Sequence, residues 1–251
     1  MTRSCVSGWS PRARIRSRSR ARRSLVATQA IGPTPRRLGL ELLEDRRLLS
    51  LVSWDGGGGD TSWTNPLNWD TDTLPGAEDD VVIDVAGDVT IEHASGSTTI
   101  RSLDCEENFD LAGGSLEMMG AASRINGTFV MTSGTRLMVD GSDASLIVSG
   151  TATIDGASIL ASGGATVSLP AASSYTQTRP ANSDATLRAE GAGSVLDLSQ
   201  ITSVTGSREY RTDLFVQALG GGEVDLSGVT EIPDGAVSLL SEGPDSVIDV
   251  S

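Results

Sequence analysis

The strongest constraint on the fold is a repeat near the end of the chain. Residues 189–204, AEGAGSVLDLSQITSV, align with ALGGGEVDLSGVTEI at 218–232, and SEGPDSVIDVS at 241–251 begins a third copy. Anchored on Asp197, Asp225 and Asp249, the copies lie 28 and 24 residues apart. A unit that short cannot bury an apolar face alone and must stack on its neighbours. The step fits one rung of a parallel β-helix or related solenoid.

The stretch before the repeat has the same texture. Runs such as LEMM (116–119), TFVM (128–131), SLIV (145–148) and TVSL (166–169) are short and apolar. Many runs follow a glycine, at Gly114, Gly127, Gly134, Gly164, Gly193 or Gly222. Strands of four to five residues between such turns suit a coil with several strands per rung. No apolar period of 3.6 residues is sustained, so helices are not expected. The chain has 29 Gly and nine aromatic residues, and β-branched side chains fit a stacked pleated surface better than an aromatic-anchored globule.

Within each repeat the pattern is apolar–Asp–apolar. Leu196 and Leu198, Val224 and Leu226, and Ile248 and Val250 are expected to point inward, with the aspartates outward. On successive rungs Asp197, Asp225 and Asp249 then form a ladder about 4.8 Å apart. Like charges that close repel. A bridging calcium ion with oxygen ligands is one resolution, and a solvated face screened by salt is the other.

Charge divides the 251 residues into two unlike parts. Residues 1–50 carry twelve Arg against three acids, a balance of +9; residues 51–251 carry seven Arg against thirty acids, a balance of −23. There is no Lys. The acidic body would repel phosphate, so nucleic acid is not an expected partner for it. No stretch reaches about 18 uninterrupted apolar residues, so no transmembrane segment is expected.

The basic part, with PRARIRSRSRARR at 11–23, reads as a leader. It lacks the long apolar core of a conventional signal peptide. It ends in Leu43, Glu44, Asp45, Arg46, Arg47, Leu48 and Leu49. This run resembles the Leu-Glu-Pro-Arg-X-Leu-Leu motif near the N-terminus of large planctomycete surface proteins, with Asp45 where that motif has Pro. The resemblance covers under a tenth of the chain and implies an exported or cell-surface protein.

Residues 54–69, WDGGGGDTSWTNPLNW, hold Trp54, Trp63 and Trp69, three of the four tryptophans. Trp63, Asn68, Trp69, Pro75, Asp80, Val82 and Ile83 resemble the opening of many bacterial surface β-solenoids and adhesin-like passengers. The physical reading is a cap, since the first coil of a solenoid exposes a sheet end that must be covered. Its rival is a sugar-stacking platform of exposed indoles. Asp55, Asp60, Asp70 and Asp72 offer a second, weaker place for calcium, without EF-hand spacing.

No catalytic residue can be assigned. His93 is the single histidine and reads as a strand-end residue; Cys105 reads as a small buried apolar side chain. The expected architecture is therefore all-β: a leader at 1–50, a Trp/Gly-rich cap at 51–85 and solenoid rungs at 86–251. The array looks incomplete at its C-terminus. The expected function is an exported cell-surface protein, structural or adhesive and without catalytic activity. Its candidate partners are extracellular polysaccharide or other surface proteins. The alternative is a carbohydrate-active β-helix of lyase or hydrolase type, which rests on fold analogy.

Overall fold

The structure, a computed structural model, describes residues 50–251. The leader and its Leu43–Leu49 motif lie outside the described residues. The chain opens with β1 (Ser50–Ser53), a 3-10 turn at Pro66–Asn68 and β2 (Asp79–Ile83). Six rungs of three strands follow. They are β3 (Thr90–Glu92), β4 (Ser97–Ile100), β5 (Ser102–Cys105); β6 (Asn108–Leu111), β7 (Ser115–Met118), β8 (Ala122–Ile125); and β9 (Phe129–Met131), β10 (Arg136–Asp140), β11 (Ser145–Val148). Next come β12 (Ala152–Asp155), β13 (Ser158–Ser162), β14 (Thr166–Ser168); β15 (Ala172–Thr176), β16 (Ala185–Glu190), β17 (Val195–Asp197); and β18 (Ser203–Thr205), β19 (Leu214–Leu219), β20 (Glu223–Asp225). The last rung has β21 (Val237–Glu242) and β22 (Val247–Asp249).

Each strand pairs in parallel with its counterpart one rung away. The first sheet stacks nine strands from β1 to β22, the second seven from β4 to β21, and the third six from β3 to β18. This is an all-β parallel solenoid with three sides, as the repeat requires. Cap and rungs share one core and form one compact unit.

The alternating pattern decides what fills the interior. Leu116, Leu137, Ile159, Leu187 and Val216 stack in register along the second sheet and are all buried. Leu146, Val167, Leu196 and Val224 do the same along the first. Each such side chain contributes about 1.5–3 kcal/mol through burial. Ile248 is partly buried and Val250 is 56% exposed, because no described rung covers them.

Rung length is not constant. Cys105 pairs with Ile125 and Leu146 with Val167, steps of 20 and 21 residues. Val167 pairs with Leu196 and Leu196 with Val224, steps of 29 and 28. The 28-residue sequence repeat therefore has the correct register but is a lengthened rung. The extra residues form two loops, 177–184 between β15 and β16 and 206–213 between β18 and β19, at the corner from the third sheet to the second.

The turn glycines divide into two kinds. Gly114, Gly134, Gly164 and Gly193 have positive φ, as turn chemistry demands. Gly127 does not. A Cβ there would lie 2.3 Å from the Glu107 carbonyl oxygen, and one on Gly150 would lie 1.9 Å from that of Gly127. Glycine is needed at this corner because successive rungs touch backbone to backbone.

Candidate functional site

The Trp-rich segment is a cap. Trp54, Trp63 and Trp69 are buried, at 5%, 1% and 0% exposure. Trp69 meets Trp54 edge-on at 5.0 Å and Trp63 at 4.8 Å. Trp63 in turn meets Phe109 edge-on at 5.6 Å, and Phe109 stacks on Phe129 at 6.2 Å, so the aromatic column runs from the cap into the second and third rungs. Residues 61–63 lie along β3: Glu92 donates its N–H to the Thr61 carbonyl, and Trp63 donates to that of Glu92, both at 2.9 Å. The open edge of β3 is thereby closed. Among the described residues no indole face is free to stack on a sugar.

Asn68, fully buried, organises the cap loop. Its Nδ2 donates to Asp60 Oδ1 (2.7 Å) and to the Ser62 carbonyl (3.0 Å), while its Oδ1 accepts from Gly58 N (2.9 Å). Asp60 also accepts from Ser62 N and Asn65 Nδ2. The Ser62 amide, then Asn68 and Asn65, hold its carboxyl below the ordinary range. Asp55 accepts from Gly57 N and Asp70 from Ser53 N. These acids serve separate turns of the loop rather than one cage.

The aspartates of the repeat stand in register, Asp197 beside Asp225 and Asp225 beside Asp249. Each is engaged locally by the serine two residues on. Asp197 Oδ1 accepts from Ser199 N (3.1 Å) and Oγ (2.7 Å), and its Oδ2 from Ser168 Oγ (2.7 Å). Asp225 accepts from Ser227 N (2.9 Å), and Asp249 from Ser251 N (3.0 Å) and Oγ (2.8 Å). The Asp-X-Ser pattern is thus an Asx turn closing each strand. Partial burial pushes the Asp197 carboxyl up, but the Ser199 and Ser168 donors outweigh it and hold it below the ordinary range. The Ser251 amide and hydroxyl do the same for Asp249. Among the described residues no group of three or more His, Cys, Asp or Glu is gathered as a metal cage.

Elsewhere the outer side of the first sheet carries ion pairs between rungs. Arg101 Nη1 contacts Asp80 at 2.5 Å; Arg124 contacts Asp104 at 2.5 Å and Glu106 at 3.0 Å. His93 is buried, with Nδ1 2.8 Å from the Gly113 carbonyl and Nε2 2.9 Å from Thr98 Oγ1, and it ties one rung corner to the next. Cys105 is buried and its Sγ donates to the Glu107 carbonyl; burial pushes the thiol up to about 12, so it stays protonated.

The loops 177–184 and 206–213 lie side by side, joined by Asn182 N to the Tyr210 carbonyl (2.8 Å) and Thr212 Oγ1 to that of Pro180 (3.0 Å). Between them is an open cleft of about 430 Å3 lined by Gln177, Thr178, Arg179, Ser207, Arg208 and Glu209. The only hint in the sequence is the lengthened rung, whose extra residues had to leave the coil.

The fold and cap define a parallel β-solenoid of the capped, rung-stacked type. Comparison with protein-family models, with curated proteins and with solved structures finds no match for this chain.

Proposed function

We propose that the protein is an exported, non-enzymatic cell-surface β-solenoid with a structural or adhesive role. The observation that carries this reading is the regular outer face. Asp-X-Ser turns at 197–199, 225–227 and 249–251 and the Arg–carboxylate pairs around Arg101 and Arg124 repeat polar chemistry from rung to rung along one sheet. Such a face offers many weak, equivalent contacts, which suits avidity toward an extended partner. The leader motif at Leu43–Leu49 supports export. Among the described residues no helix is long and apolar enough to cross a membrane.

The test is localisation. A tagged full chain expressed in its native cells should be released by mild protease treatment of intact cells, and deletion of residues 1–50 should retain it inside. Recovery of the intact full chain only from the cytoplasm would overturn the proposal. Incubation with acidic polysaccharides should generate no new reducing ends or unsaturated products.

A further inference from the structure

The body of this chain is strongly acidic, yet its unpaired cations collect in one region. Of the seven arginines in 51–251, Arg101, Arg124, Arg188 and Arg208 have carboxylate partners. Among the described residues Arg136, Arg179 and Arg211 have none. Burial lowers the Arg179 guanidinium; the nearby Tyr175 and Asp184 offset part of that, and Arg136 adds a smaller lowering. Arg179 Nε donates to the Gly156 carbonyl, and its Nη1 to the Asp184 carbonyl and to Ser183 Oγ. These contacts fix the fork without neutralising it.

Three further observations fall on the same two loops. Gln177 lines the cleft and is 3% exposed; its Nε2 donates to the Asp213 carbonyl (3.2 Å), whereas its Oε1 has no donor among the described residues. A buried acceptor left without a donor is destabilising. Arg211 sits at φ +50°, in the left-handed region that a long side chain rarely adopts, and its guanidinium lies 5.2 Å from the centre of the exposed Tyr210 ring. Backbone strain of this kind persists where the surrounding structure holds a side chain in place, often at binding sites.

We propose that this cleft binds an acidic saccharide built of hexuronate units. Guanidinium forks match carboxylates in bidentate geometry. Sugar hydroxyls meet the hydroxyls of Thr178 and Ser207 on the cleft wall. The Tyr210–Arg211 pair, next along the same loop but outside the cleft lining, offers a flat surface for a pyranose face of a longer chain. The cleft volume falls within the usual range for small-ligand sites, about 300–1,000 Å3. The proposal gives the adhesive reading a ligand class and rests on that reading only for where the ligand is met. Binding is measured in solution, so failed binding and failed surface localisation are separate results.

The experiment is calorimetric titration of the full chain with a galacturonate tetramer, the neutral galactose tetramer and a sulfated galactose tetramer. The uronate is expected to bind at least about tenfold more tightly than either, a gap of roughly 1.4 kcal/mol. Arg208→Ala and Arg211→Gly should each weaken it at least about fivefold, on the scale of a lost charged contact. Arg211→Gly should leave the melting temperature unchanged or raised, since Gly relieves the left-handed strain. Arg101→Ala, on the first sheet, should not change binding. Equal affinity for the neutral sugar, tighter binding of the sulfated one, no binding, or indifference to both cleft variants would each overturn the proposal. So would sedimentation showing self-association that Arg208→Ala dissolves, which would assign the cleft to a second copy of the chain.

Discussion

Trp69 donates its indole N–H to the main-chain carbonyl of Trp63, 3.0 Å away, while the two rings meet edge-on at 4.8 Å. The reverse bond does not exist: among the described residues the indole N–H of Trp63 has no acceptor. The two tryptophans are equally buried but unequally satisfied.

That inequality predicts unequal substitutions. Trp69→Phe strands the Trp63 carbonyl and loses ring area, and is expected to cost about 2–4 kcal/mol. Trp63→Phe removes a donor that was already unpaired and keeps the contact with Phe109, so it should cost less, about 1–2 kcal/mol. Urea denaturation of the two variants gives the order directly. A larger loss for Trp63→Phe would contradict the cap geometry.

The Asx turns predict a pH dependence. Asp197, Asp249 and Asp60 all have folded-state acidities held below the ordinary carboxylate value near 4. Their contribution is therefore present above pH 4 and is lost as pH falls below it, through the depressed folded values. The urea midpoint should decline between about pH 5 and pH 2. Asp197→Ala should flatten part of that slope and cost about 1 kcal/mol at pH 7, whereas Asp197→Asn, which keeps the Oδ1 acceptor, should cost less. Because serine donors already satisfy these carboxylates, calcium should raise the melting temperature no more than magnesium does.

Asp110 has the opposite sign. It sits in register beside Glu92 on the next strand, and its Oδ1 is buried without a donor among the described residues. Burial, then the charge of Glu92, raises its carboxyl above the ordinary value. Ionised, it destabilises the fold, and that penalty disappears as pH falls through the raised value. Asp110→Asn is expected to stabilise the protein by about 0.5–1 kcal/mol at pH 7, measurable as a higher melting temperature.

The two kinds of glycine separate in the same assay. Gly150→Ala drives a methyl into the Gly127 carbonyl, against the Asn126–Gly127 backbone and with nothing flexible to move. A loss of about 3 kcal/mol or more is expected. Gly134→Ala meets open space and incurs only the left-handed strain, about 1 kcal/mol. Comparable losses at the two sites would remove the distinction between close approach and turn conformation.

Much of this architecture is readable in the residues themselves. Apolar–Asp–apolar strands at 195–198 and 223–226 fix which side chains face inward, because the strand period is two. Neighbouring copies then have to stack, because one rung cannot bury its own face. The cap is also visible, since Trp54, Trp63 and Trp69 have too much apolar area to leave exposed at a sheet end.

Tertiary structure decided the rest. Rung length was hidden because the clearest repeat, 28 residues, contains a loop absent from the shorter rungs. The role of Asp197 was settled by Ser199, two residues on, and by Ser168, whose hydroxyl reaches it only once the rungs are stacked. Gly127 reads as a turn residue until the Glu107 carbonyl lies against it. The cleft between 177–184 and 206–213 joins Arg179 and Arg208, 29 positions apart, through the stacking of the rungs that carry them. A local pattern encodes which face is buried; which distant side chains share a site depends on register and loop length, which no local pattern records.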